Sequence, residues 1–438
     1  MKRAAQWLVP AAVALVAVTG CGGGSSGGTG QNAANNGAGG QGSNGQTITL
    51  RISWWGDQTR ANLTQQVIDL YEKSHPNIKI QPEFTGYSGY QQKLTTEAAG
   101  NNLPDVMQMN YGPMISQFSS QGLLDDLKSY IDSKQIDVSK IDPQLLGTGV
   151  INGQQLGIPL AENALAVLYN PDLLQKAGLS DPKPDWTWDD FIQMAETVHQ
   201  KLGIYGARTL DYTFTPEYYI RQHGQHLFSQ DQKALGYDDQ TLADYWQINL
   251  KLIKDGAAPT IDKIQQIQGL EQEPLAQQKA AFDLRWSNQL TALSGNGKLP
   301  LKLAPLPGPD ADKGMYLKPS MFFSISKTSQ HKAEAADFIN FFINNLDAAK
   351  ILKTERGVPV SSDIRDQLKP SLSPLDQETF DYIDYVSKHS SPIDPDSPPK
   401  YSQINQTLKD VDQKVLFGKE TPEQGAKEFR QKAEALLK

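Results

Sequence analysis

The chain has one cysteine, Cys21, close to its amino terminus. Beyond that position it can form no disulfide, no thiolate metal site and no cysteine nucleophile. Histidine is also scarce. The six residues are scattered and only His223 and His226 are close together, a spacing read as a surface pair rather than as metal ligands. No nucleophile elbow, phosphate-binding loop or internal repeat is found, so no cofactor and no metal are expected. No segment after the amino-terminal apolar run resembles a membrane span. Positive charge is in deficit, since 41 Lys and Arg against 49 Asp and Glu give a net charge of −8. That balance argues against nucleic acid and other polyanions as main partners, although it leaves room for a local basic site.

What is present begins with a compartment signal. Lys2 and Arg3 precede an apolar run over 7–18, about 12 residues long, too short to cross a bilayer and suited to a signal-peptide core. Val18-Thr19-Gly20-Cys21 follows and resembles the lipobox of bacterial lipoproteins. The resemblance implies cleavage after residue 20, diacylglycerol on the Cys21 sulfur, and anchoring on the extracytoplasmic face of a cell membrane. Residues 22–46 are Gly, Ser, Asn, Gln, Ala and Thr without a charge or an aromatic. Such a stretch cannot bury enough apolar surface to fold. It reads as a flexible tether of about 25 residues with a reach on the order of 25–30 Å. Family experience associates such a tether with a Gram-positive cell.

About 390 residues remain, enough for two domains and for a large core without disulfides. Residues 48–53 alternate apolar and polar as a strand does. Leu63, Val67, Leu70 and Tyr71 recur at helical spacing over 62–74, and His75-Pro76-Asn77 ends that helix. A strand over 78–84, a helix over 89–99 and a strand over 104–109 come next. This alternation predicts a parallel α/β sheet, with ligand bound beyond the carboxyl ends of its strands. Those ends carry Trp54, Trp55 and Asp57, then Tyr87, Tyr90 and Gln91, then Gln108, Asn110 and Tyr111.

Five stretches carry a resemblance to the bacterial extracellular solute-binding proteins of the maltose-binding cluster: "QVIDLYEKSHPNIKIQPEF" from Gln66, "LPDVMQMNY" from Leu103, "GIPLAENALAVLYNPDLLQKAGL" from Gly157, "WTWDDFIQMAETV" from Trp186 and "SISKTSQHKAEAADFINFFIN" from Ser324. Their order and spacing make the match, which extends from about residue 47 to the end. It implies an α/β fold of two lobes, the type II periplasmic-binding-protein or Venus-flytrap arrangement, built from discontinuous domains joined by hinge segments. The first lobe would hold 47–163 and 321–348, and the second 164–320 and 349–438, with crossings near 160–167, 318–324 and 345–356. It further implies a monomeric sugar-binding subunit of an ABC importer that closes on an oligosaccharide and delivers it to permease subunits in the membrane.

A sugar presents hydroxyls at its edge and weakly apolar C–H faces, so aromatics, amides, carboxylates and guanidiniums are the expected partners. Trp54 and Trp55 point to opposite sides of a strand, one to stack on ligand and one to pack, with both in the core as the alternative. Asp57 is either a hydroxyl acceptor or a helix cap. Tyr87, Tyr90 and Gln91 stand at the rim or pack on the surface. Gln108 and Asn110 share a side, with Tyr111 beside them. Glu162 and Asn163 follow Pro159 at the first crossing. In the family a tryptophan after the "AAF" strand often stacks on sugar, which makes Trp286 the strongest candidate of the second lobe, with Arg285, Ser287 and Asn288 next to it. Ser320, Met321 and Arg356 lie near the other crossings, and Tyr212 and Tyr218 in a polar loop. Trp186 and Trp188 instead read as packing around a capped helix start.

Two rivals remain. Asp57, Asp105 and Glu162 supply enough acids for a lipid-anchored polysaccharide hydrolase, which needs two carboxylates across a scissile bond. The same scaffold could also bind another solute, such as a polyamine, a peptide or iron.

Overall fold

The alternation in "ITLRISWW" produces the first strand, and the structure, a computed structural model, describes residues 47–438 except 296, 395–397, 399 and the side chain of Ser88. The expected leader, Cys21 and the tether 22–46 lie outside the described residues. Among the described residues twelve strands follow one another: β1 (Ile48–Trp55), β2 (Ile78–Thr85), β3 (Val106–Met109), β4 (Val150–Ile151), β5 (Gln154–Gln155), β6 (Ile158–Asn163), β7 (Leu165–Tyr169), β8 (Tyr205–Ala207), β9 (Ala280–Trp286), β10 (Lys302–Ala304), β11 (Lys318–Ile325) and β12 (Val358–Pro359). They form a six-stranded sheet in the order β12-β6-β11-β3-β1-β2, a four-stranded sheet in the order β10-β7-β9-β8, and the small hairpin β4-β5.

The expected parallel pairing holds for β1 with β2 and β3. It fails for the returning chain: β11 runs antiparallel to β3 and β6, and β12 antiparallel to β6. The first sheet is therefore mixed, because the segment that re-enters it comes from the opposite end. Strand pairing starts the return at Lys318 and keeps the chain in this sheet out to Pro359.

Each sheet has its own core. In the first, Leu50, Ile52, Val67, Tyr71, Phe322, Phe323, Phe338 and Ile339 are buried together. In the second, Val167, Phe191, Trp246, Phe282, Val411 and Phe429 are. Full burial of each such side chain stabilises the fold by about 1.5–3 kcal/mol, so two separate cores define two lobes.

Local signals set the helix starts. Helix Gln58–Ser74 begins earlier than its apolar spacing indicates, because Asp57 caps it and accepts the Arg60 N–H at 2.9 Å. Helix Trp188–Leu202 opens on a full capping box between Thr187 and Asp190. Trp186 Nε1 donates to the Pro305 carbonyl at 2.9 Å, and Trp188 packs edge-on against Phe191. The tryptophans of "WTWDDF" are structural, as their spacing indicates.

The lobes meet where β6 passes into β7. Asn163 still pairs with Lys318 of β11, whereas Leu165 already pairs with Trp286 of β9. Between them, the Ala164 carbonyl accepts the Ser287 N–H at 2.8 Å, and its N–H reaches Ser287 Oγ at 3.3 Å. Gly357 closes over this crossing at φ +115°, where a Cβ would stand 2.5 Å from Asn163 Oδ1 and 2.6 Å from the Glu162 carbonyl. Gly357→Ala is expected to cost about 1–3 kcal/mol in urea unfolding, through both strain and overlap. An unchanged midpoint would show that the crossing can spread.

Candidate ligand-binding cleft

A cavity of about 1020 Å³ opens between the two sheets. From the first lobe it is lined by Tyr87, Asn110, Tyr111, Gly112 and Pro113. Tyr87 opens helix Tyr87–Ala99 and is 63 % exposed. Asn110 Nδ2 donates to its hydroxyl at 3.1 Å. Gly112 takes φ +90° ahead of helix Pro113–Ser120, turning the chain sharply after β3.

The second lobe supplies most of the remaining wall. Trp286, at the end of β9, is half-buried, tilted against Phe214 at 5.8 Å and edge-on to Tyr316 at 6.2 Å. The Lys318 ammonium lies 4.7 Å above the Trp286 ring. The Arg221 guanidinium stands 4.9 Å from the Tyr316 ring centre, so cations flank this aromatic pair on both sides. Glu217, in the first turn of helix Thr215–Gln222, completes the group.

A second cluster forms around Asp394. Arg221 pairs with its carboxylate and donates to Ser391 Oγ at 2.6 Å, the Pro392 carbonyl at 2.7 Å and the Gly314 carbonyl at 3.3 Å. His226 Nδ1 lies 2.9 Å from Asp394 Oδ1. The Tyr111 hydroxyl donates to the Asp394 carbonyl at 2.8 Å, tying the first lobe to this segment. Asp394 Oδ2 is buried and, among the described residues, has no hydrogen-bond partner.

Burial governs the charges of the wall. It pushes the Glu217 carboxyl above the usual carboxylate range, opposed by Arg221 and Lys318 and assisted by Asp394. It pushes the Lys318 ammonium below its ordinary value, opposed by Glu217. It also raises Tyr316 well above the ordinary phenol, with Glu217 adding to the effect.

Of the candidates read from the sequence, Tyr87, Asn110, Tyr111 and Trp286 converge on this cavity. The others lie elsewhere, each for a physical reason. Trp54 is 1 % exposed and stacks on Phe84 of the neighbouring strand, and Trp55 is held in the first core by Tyr90 and Tyr87. Alternation did place the two rings on opposite faces, but both faces are covered. Asp57 is spent on its helix cap. The Tyr90 hydroxyl donates to the Ser53 carbonyl at 2.8 Å inside the core. Gln108 is buried and donates to the Trp55 carbonyl at 3.3 Å. Gln91 bonds Gln117 on the surface.

At the crossings, Glu162 pairs with Arg365, and Asn163 Oδ1 and Ser320 Oγ are buried without partners. Arg356 is 2 % exposed, donates to Thr64 Oγ1 at 2.8 Å and pairs with Glu355. Burial pushes its guanidinium down to about 10. Asn288 sits half-buried in the turn Ser287–Gln289, off the cavity wall. Arg285 points to the other side of β9 from Trp286 and pairs with Asp283 and Glu273.

The acids that allowed a hydrolase are likewise occupied. Asp105 accepts the Arg51 N–H at 2.8 Å and the Ser329 hydroxyl, and Asp57 and Glu162 have the partners just described. Sequence reasoning missed Glu217, His226, Tyr316, Lys318, Asp394 and Tyr401. For Lys318 there was a signal, since it opens the segment expected at the second crossing.

With this geometry in place, the comparisons assign the class. Residues 55–346 match the bacterial extracellular solute-binding protein family, and the chain belongs to it. A family 1 solute-binding protein from Alicyclobacillus acidocaldarius is 36 % identical, with a TM-score of 0.73 over 90 % of this chain and 99 % of that one. A periplasmic oligogalacturonide-binding protein from Yersinia enterocolitica, in complex with saturated digalacturonic acid, is 27 % identical, with a TM-score of 0.76 over 89 % and 98 %. The diacetylchitobiose-binding protein of Streptomyces coelicolor is 26 % identical over 46 % of this chain and 44 % of its own length.

Glu162 supplies a test of the crossing. Burial pushes its carboxyl from an ordinary value near 4.5 up to about 7, against the pull of Arg365. The folded chain therefore keeps a proton that the unfolded chain releases. The stabilisation is full below about pH 4.5 and is lost as pH rises through 7. Urea unfolding of wild type and Glu162→Gln between pH 5 and 8 should differ in slope, wild type losing on the order of 1–3 kcal/mol more. Equal slopes would assign the titration to other buried acids such as Asp412.

Proposed function

We propose that this chain is the extracytoplasmic carbohydrate-binding subunit of an ABC importer, lipid-anchored at Cys21, and that its ligand is an oligosaccharide. The observation that carries this reading is the cleft itself. Aromatic rings from both lobes, Tyr87 and Tyr111 on one side and Trp286, Phe214 and Tyr316 on the other, face a cavity also lined by amide, hydroxyl and carboxylate groups. Flat rings cover the C–H faces of a sugar, while planar polar groups bond its hydroxyls.

The volume of about 1020 Å³ is at the upper end of pockets for small ligands, roughly 300–1,000 Å³, and suits several linked rings better than one. Relatives named for the binding of diacetylchitobiose and of oligogalacturonide support a saccharide. A relative named as an ABC transporter extracellular-binding protein supports the importer.

In this reading the strands crossing at Ala164 act as a hinge, and the lobes close on the sugar without altering a covalent bond. The closed form is what the permease recognises. Tyr87, Asn110, Tyr111 and Trp286 contact the ligand, joined by Glu217, Lys318 and Asp394.

A thermal-shift panel of oligosaccharides, spermidine and peptides tests the ligand class, because only a molecule that binds the folded chain raises its midpoint. A rise with a saccharide, together with compaction in solution scattering, is expected. A rise with spermidine alone would overturn the reading. In titration calorimetry Trp286→Ala should weaken the saccharide by at least about tenfold, about 1.4 kcal/mol. Unchanged affinity would remove that ring from the site. Cys21→Ser is expected to shift the chain from the membrane fraction to the medium.

A further inference from the structure

Two cationic side chains and one imidazole stand at or behind the cleft wall, and the imidazole and one of the cations are committed. Arg221 is 3 % exposed, and among the described residues its guanidinium bonds Asp394, Ser391, Pro392 and Gly314 and stands over the Tyr316 ring. His226 faces Asp394. Lys318 is different. It lines the cavity and is half-buried, and among the described residues its ammonium has the Trp286 ring as its one close partner, at 4.7 Å.

The geometry points to Lys318 as the anion-reading group of the cleft: we propose that the oligosaccharide carries a carboxylate, as a uronate sugar does, and seats it against this ammonium beside Trp286. The proposal rests on the saccharide reading above and specifies the substrate class.

Removing an ammonium from water without an opposite charge is costly. The ring face offsets part of that cost, and the depressed proton affinity of Lys318 records the remainder. Glu217 is the protein's nearest candidate for the missing charge. It acts on Lys318 electrostatically but forms no ion pair with it, and it bonds the Tyr316 hydroxyl. Burial also weakens its own ionisation. The other acid of the wall, Asp394, is neutralised by Arg221. A ligand carboxylate would supply the charge that neither acid brings into contact.

Placement adds a reason. Trp286 and Lys318 are the last residue of β9 and the first of β11, each paired beside Ala164 at the crossing. A sugar ring resting against the free part of Trp286 would direct an equatorial or C5 carboxylate towards the ammonium. The chain as a whole is acidic, at −8, so its general field repels an anionic ligand. Selection for the acid must therefore come from a short-range contact such as this one.

Titration calorimetry on the full chain tests the idea. The probes are galacturonate di- to tetrasaccharides and glucuronate-bearing xylo-oligosaccharides, each beside its carboxyl-reduced form. Wild type should bind at least one acidic probe about tenfold or more tighter than its reduced partner. Lys318→Met keeps the stem over Trp286 and removes the charge. It should abolish that preference, bringing each acidic probe and its reduced partner to affinities within about twofold of one another, and Lys318→Arg should restore it. Thermal unfolding of each variant confirms folding.

Equal affinity for acidic and reduced probes, or preference for the reduced form, would overturn the role of Lys318 and leave the carbohydrate reading standing. A preference that survives in Lys318→Met would do the same. Silence of folded wild type with every saccharide would overturn both readings.

Discussion

At Ala164 the backbone leaves one sheet and enters another within a single residue, and both its polar groups are met by Ser287. Buried peptide groups must be bonded, so this pairing fixes where the sheets meet. It also fixes what stands beside the meeting point. β11 is in register with β6 up to Asn163, which brings Lys318 there, and β9 is in register with β7 up to Leu165, which brings Trp286. The ammonium and the ring that dominate one wall of the cleft are neighbours because two ladders end at the same residue.

Charge is distributed around this crossing with a consistent logic. The ionic groups inside the lobes are paired with the protein itself: Glu162 with Arg365, Arg356 with Glu355, and Arg285 and Arg208 with Glu273. Breaking such a pair leaves an uncompensated buried charge, which makes these contacts structural. The cleft wall departs from this pattern. Among the described residues Lys318 rests on the Trp286 ring without an ion pair to Glu217, which bonds the Tyr316 hydroxyl instead. Groups left incompletely satisfied by the fold are the ones a ligand can satisfy, and closure of the lobes would strengthen those bonds by excluding water.

Much of the first lobe was legible. Period-two alternation gave β1 and helical spacing the helix after it, because each buries residues that its own sequence advertises, whereas β3 is buried along its whole length. The rule that ligands bind beyond strand carboxyl ends pointed to Tyr87, Asn110 and Tyr111, which line the cavity. The same rule erred at Trp54, Trp55 and Gln108. Alternation tells which face a residue takes but not whether that face is covered, and here Phe84, Tyr90 and the Trp55 carbonyl cover them. Glu217, Tyr316 and Asp394 gave no comparable signal, since they converge from a helix turn, a strand approach and a loop far apart in the chain.

By itself the sequence determined the two-lobed α/β class, the elements of the first sheet, the capped helix after Trp186 and the placing of Trp286 at the end of its strand. These follow from local periodicity, capping chemistry and family resemblance, all written in contiguous residues. Tertiary structure alone decided that the return strand runs antiparallel, that Glu162 and Arg356 are locked into the crossings, and that Lys318 is left over Trp286 without an ionic partner among the described residues. Those outcomes depend on which distant groups reach one another when the sheets pack, and desolvation and ion pairing are properties of that assembly rather than of any segment.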